Sequence, residues 1–159
     1  MNDKEEMKVA EALARRADLI ARFTELRSRA GEAALYQEGD EPTEDPAALV
    51  ALADEAAAEL EQLMARINRT NLATSFDGST TVTDALARRD VLRLRRSMRT
   101  ELASAGSGRR DFLYSRSEIK TLRAVDVPTL RSEADDLAAE LRRLDLRLQE
   151  LNWLTPLAD

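Results

Sequence analysis

The chain contains neither cysteine nor histidine. That removes disulfide stapling, thiolate nucleophiles and cysteine-ligated zinc, and with them the commonest general base and metal-ligating ring. Carboxylates, Lys, Tyr and Ser are left for catalysis, and no nucleophile, base and orienting group can be named together among them. Long apolar runs are missing too. The longest, residues 47–53, is mostly alanine, far short of the roughly 20 residues of a membrane-spanning helix. Met1-Asn2-Asp3-Lys4-Glu5-Glu6 is charged, without the apolar core of a secretion signal. Aromatics make up 4% of the chain and the net charge is −6, unlike the basic footprint of a general nucleic-acid binder. These absences set the expectation of a cytoplasmic, non-enzymatic protein with no cofactor, no metal, no nucleic-acid partner and no membrane partner.

What the sequence has in abundance is Ala, Leu, Glu and Arg, the residues that lose least on entering a helix. Leu130, Ala134, Leu137, Leu141, Leu144, Leu148 and Leu151 recur in alternating steps of four and three. This is the heptad seam of one helix packed along another. The fold class is therefore all-α: an antiparallel bundle of four long helices with coiled-coil-like seams, in one domain over residues 1–159.

Glycine and proline mark the boundaries, since proline breaks helix interiors and glycine weakens them. They place helices at about 4–35, 46–72, 84–105 and 127–152. Asp45-Pro46 reads as an N-cap with proline in the first helical position, Thr81 and Asp84 as a loose capping box, and Asp126 as a cap ahead of Val127-Pro128. The first helix offers two stripes, Val9, Leu13, Ala17, Ile20 and Leu19, Phe23, Leu26, Ala30. The second carries Leu49, Ala53, Ala56, Leu60, Leu63, Ile67 and Thr70, and the third Leu86, Val91, Leu94, Met98 and Leu102. Gly106-Ser107-Gly108 ends the third helix. Residues 74–82 and 117–125 lack helical spacing and suggest a short two-stranded ribbon at one end of the bundle.

Charge is segregated. Residues 32–63 hold ten acids and no base, whereas residues 88–123 hold eleven bases and four acids. An acidic second helix lying antiparallel to a basic third one is the simplest account. The acids of residues 38–45 lack the order of a calcium loop and read as a solvated connector. Up-and-down helices gather Asn68, Arg69 and Asn71 with Arg88, Arg89 and Asp90 and with Arg116 and Glu118 at one end. That cluster offers guanidinium forks to a small anion, or alternatively forms a hydrogen-bonded plug that pins register. Trp153 either anchors the bundle end or, if exposed, marks an oligomer contact.

At these connectors the chain resembles the septicolysin-like family of small bacterial proteins. The resemblance rests on Glu38-Gly39-Asp40-Glu41-Pro42 with Glu44-Asp45-Pro46, Arg66-Ile67-Asn68-Arg69-Thr70-Asn71, Ala85-Leu86-Ala87-Arg88-Arg89-Asp90, Tyr114-Ser115-Arg116-Ser117-Glu118-Ile119-Lys120 and Glu150-Leu151-Asn152-Trp153-Leu154. It implies a pore-forming cytolysin and supplies no catalytic residue. Three functions stand at this point: self-association or protein interaction as a homo-oligomer, binding of a small anion at the polar cluster, and the pore formation that the resemblance implies.

Overall fold

A computed structural model describes residues 6–108 and 122–159. The protein is all-α, and its described residues form four helices: α1 (Val9–Glu32), α2 (Pro46–Ala73), α3 (Val82–Gly106) and α4 (Val127–Leu154). The starts follow local chemistry. Asp45 accepts the Ala47 N–H at 2.9 Å, with Pro46 opening α2. Thr81 and Asp84 cap each other reciprocally ahead of α3, and Asp126 takes the Thr129 N–H and hydroxyl ahead of α4. Each supplies a partner to an amide that the helix itself leaves unsatisfied. The same hydrogen bonds hold the Asp84 and Asp126 carboxyls below their ordinary range, chiefly through the Thr81 N–H and the Thr129 hydroxyl respectively.

The chain gathers into two compact units, residues 1–75 with 149–159 and residues 76–148. In the first, α1 and α2 form an antiparallel hairpin. Its core joins Val9, Ala12, Leu19, Ala56, Leu63, Ile67 and Leu157, and a second cluster joins Leu26, Leu49 and Ala53. Burying a leucine as fully as Leu19 contributes about 1.5–3 kcal/mol. On the rim, Arg15 grips Glu59 through two nitrogens at 2.7 and 2.8 Å, and Arg29 pairs with Glu44 of the acidic connector. The Arg29 guanidinium holds the Glu44 carboxyl below its usual range.

The α2 seam is the expected one, with Thr70 as its sole buried polar member. On α1 the seam is Val9, Ala12, Leu19 and Leu26, while Ala17 and Ile20 of the expected first stripe are exposed. The two stripes overlap at a one-residue offset, and contact with α2 selects between them. The segment following α4 closes this unit. Val9 N donates to Thr155 O at 3.0 Å, and Leu157 N to Met7 O at 2.8 Å. Ala158 N donates at 2.9 Å to the Thr70 hydroxyl, which in turn donates to Arg66 O at 2.8 Å. Thr70 thus satisfies a main-chain amide that no helix or strand provides for.

In the second unit, α3 and α4 pair antiparallel. The α4 seam is as expected, with Ala134, Leu137, Leu141, Leu144 and Leu148 all buried. The α3 seam is not. It buries Val82, Ala85, Leu92 and Ala103 and leaves Val91, Leu94, Met98 and Leu102 in solvent. The buried or half-buried positions of the register are 82, 85, 89, 92, 99 and 103, with arginine at 89 and 99. Acids of α4 meet Arg99 in this seam and Arg88 and Arg93 beside it: Glu133 lies 2.6 Å from Arg99, Glu140 2.6 Å from Arg88 and Asp145 3.8 Å from Arg93. Basic α3 therefore finds acidic partners on α4, where the sequence had suggested α2.

The expected ribbon is also corrected in its first half. Residues 75–81 close on themselves, with Phe76 N donating to Thr80 O at 2.8 Å. Asp77 Oδ1 accepts from the backbone and hydroxyls of both Ser79 and Thr80. Those four donors, led by the Ser79 amide, lower the Asp77 pKa from 3.8 to about 2. Most of the second half, 117–121, lies outside the described residues.

Candidate functional site

The most distinctive surface is the face of α3 that its register turns away from the seam. Val91, Leu94, Met98 and Leu102 stand at i, i+3, i+7 and i+11, so they form one line along the helix. Their exposures are 55%, 71%, 58% and 41%. Single exposed apolar residues need no explanation, but a continuous line of four does. Helical geometry puts Arg95 on one flank of this line and Asp90 with Glu101 on the other. Ser97 donates to Glu101 at 2.6 Å, fixing that carboxylate along the acidic flank.

The residues proposed from sequence as an anion cluster have mostly separate duties. Asn68 and Arg69 are exposed on α2, and Asn71 is half-buried near its end. Arg69 donates to Asp159 O at 2.7 and 3.2 Å, and Arg66 donates to Ala158 O at 2.8 Å. These guanidiniums hold the segment after α4 against α2. Arg88 pairs with Glu140. Arg89 lies 3.4 Å from Asp90, which Arg93 also approaches at 3.8 Å. Asn68, Arg69 and Asn71 belong to the first unit and Arg88, Arg89 and Asp90 to the second. Arg116 and Glu118 lie outside the described residues. The α3 face escaped the sequence reading for a clear reason: its hydrophobicity made it look like the seam. The signal that distinguishes the two is the acids of α4, which meet Arg99 of the other register and Arg88 and Arg93 beside it.

Trp153 is 67% exposed, with Leu154 beside it also in solvent. The indole does not anchor a core. Among the described residues no group of acids is placed to hold a metal ion, and no helix is long and apolar enough to cross a membrane.

Comparison with known proteins gives a consistent answer. No curated protein matches the chain. A crystal structure of a functionally unknown conserved protein from Corynebacterium diphtheriae is similar to it, with 40% sequence identity, a TM-score of 0.90, and coverage of 97% of this chain and 100% of that one. A model for a family of unknown function, DUF6847, matches residues 16–157. These matches overturn the septicolysin-like resemblance, and the pore formation that it implied loses its basis. The segments that carried it include local helix chemistry: Asp45-Pro46 is a cap, and Arg66 and Arg69 grip the closing segment. Such features recur in unrelated helical proteins. With nearly its whole length matched, the chain belongs to the DUF6847 family.

Proposed function

We propose that this protein acts by association and not by catalysis, and that its partner is a second copy docked on the exposed face of α3. The carrying observation is the line Val91, Leu94, Met98 and Leu102, apolar and solvent-facing along three turns of one helix. Covering it removes apolar surface from water, the main favourable term in association.

The flanking charges favour a particular geometry. In a parallel two-fold pair, the acidic flank of one helix lies against the basic flank of the other. The five-residue offset of such pairs sets Asp90 across from Arg95 of the second copy. An antiparallel pair instead brings like flanks together, which is unfavourable. Arg95 has no ion pair among the described residues, and Asp90 is held only at 3.4 and 3.8 Å by its neighbours.

Size-exclusion chromatography with light scattering at tens of micromolar tests the reading. A dimer is expected for the native chain, and a monomer for the Leu94→Glu, Met98→Glu double variant, with unchanged helical content. Charge reversal tests the geometry. Asp90→Arg or Arg95→Asp alone weakens the dimer, and the two together restore it. A native chain that stays monomeric, or a dimer indifferent to Leu94 and Met98, overturns the proposal.

A further inference from the structure

The α3–α4 hairpin also carries an open groove of about 480 Å³, within the range of small-molecule sites. Arg96, Ala103 and the capping Ser107 line one wall, and Arg131, Ala134 and Asp135 of α4 the other. Arg96 falls two residues from both Leu94 and Met98, so the groove opens on the side of α3 opposite the apolar line. Its floor is Ala103 and Ala134, both buried. Alanines here leave open the width that leucines fill elsewhere along the α4 seam. The charged groups on the rim differ from their neighbours in lacking partners. Of the six arginines on α3, Arg88, Arg89, Arg93 and Arg99 each meet a carboxylate at 2.6–3.8 Å, and Arg95 flanks the apolar line. Arg96 is the one left over, with no ion pair among the described residues. Arg131 and Asp135 stand one turn apart on α4, a spacing at which opposite charges ordinarily pair, yet they do not. Arg131 instead reaches across the groove to Ser107 Oγ at 3.1 Å, and that hydroxyl donates to Ala103 O at 2.7 Å. Asp135 is left without a hydrogen bond or an ion pair among the described residues.

We propose that this groove binds an acidic amino acid, whose two carboxylates and one ammonium are the charge complement of two guanidiniums and one carboxylate. The ligand's carboxylates sit on Arg96 and Arg131, and its ammonium on Asp135. Guanidinium forks match carboxylate oxygens. A dicarboxylate without the ammonium meets repulsion from Asp135, and an amino acid with one carboxylate leaves one guanidinium unused. All three groups are exposed, so each pair contributes modestly and the dissociation constant is on the order of 1 mM.

Heteronuclear NMR titration of the full chain at fixed ionic strength, with L-glutamate, glutarate and γ-aminobutyrate, separates these contributions. Glutarate lacks the ammonium, and γ-aminobutyrate lacks one carboxylate. Saturable shifts centred on the groove are expected with glutamate, and each analogue binds about three- to fivefold more weakly, the worth of one exposed charge pair. Asp135→Asn removes the preference over glutarate, and Arg96→Gln or Arg131→Gln removes the preference over γ-aminobutyrate. Arg143→Gln, the same charge change about two turns beyond Asp135 on α4, leaves glutamate affinity intact. Helical content and melting temperature of each variant confirm that the fold is retained, and the ligand series on the native chain needs no variant. Absence of saturable glutamate binding at tens of millimolar overturns the proposal. So does glutarate binding as tight as that of glutamate, or equal weakening by Arg143→Gln, which marks general charge attraction. The groove and the α3 pairing face use opposite sides of the helix, so each stands or falls separately.

Discussion

Gly106 offers a test in which two known effects oppose each other and the structure decides the sign. The residue lies in the last turn of α3, where replacing glycine by alanine ordinarily gains up to about 1 kcal/mol of helix propensity. A Cβ built there meets Val125 Cγ2 at 2.5 Å and Val127 Cγ2 at 3.0 Å. Both neighbours are β-branched and have few rotamers in which to retreat. Overpacking of this kind costs about 1–3 kcal/mol, and contact this close belongs in the upper part of that range. Gly106→Ala is therefore net destabilising by about 1–2 kcal/mol, and for a chain of this length the melting temperature falls by roughly 2–8 °C. Gly31 is the internal control. It is helical, near the end of α1, and has nothing within 4 Å of its Cβ position. Gly31→Ala raises the melting temperature by up to about 4 °C. Thermal unfolding by circular dichroism reads both, and a double-mutant cycle with Val125→Ala locates the clash. In the Val125→Ala background, Gly106→Ala becomes neutral or stabilising. A Gly106→Ala protein that melts at or above the native temperature refutes the close approach of α3 to Val125.

Other expectations follow from single groups. Thr70→Val keeps shape but leaves the Ala158 amide without its acceptor; the loss is about 1–3 kcal/mol, measured by denaturant unfolding, and an unchanged midpoint argues against the contact. Asp77 titrates at about 2 instead of 3.8. Because its folded pKa is the lower one, its contribution to stability is complete above about pH 4 and fades as the pH falls through about 2. Carboxyl chemical shifts followed against pH report the midpoint directly, and a value near 4 removes the four-donor cage. Asp77→Ala abolishes this part of the acid dependence.

The all-α class, the α2 and α4 seams and three of the helix caps were legible because each is written in local spacing or in a cap within four residues of its target. Thr70 was legible as the last step of the α2 seam, though its task of receiving the Ala158 amide was not. The α3 register was misread for an instructive reason. Two stripes fit heptad spacing, and the more hydrophobic one is the one left in water. Choosing between them requires knowing that Glu133, Glu140 and Asp145 lie opposite, which is information about α4 and not about α3. The same limit explains Gly106, which reads as a helix terminator in sequence and serves as a gap for valine methyls in space.

The strap of residues 155–158 makes contacts that span nearly the whole chain, joining Met7 and Val9 to Thr155 and Leu157. The α1–α2 hairpin, by comparison, closes over a short connector. Loop-closure entropy rises with the separation of the joined residues, by about 0.6 kcal/mol for each doubling, so the hairpin can assemble while the strap still wanders. The strap is then the last piece to dock and the first to lift. In hydrogen exchange, the amides of Leu157 and Ala158 should trade with solvent well before those of Leu19 and Leu63, and its release uncovers Leu157's place in the core without unwinding a helix.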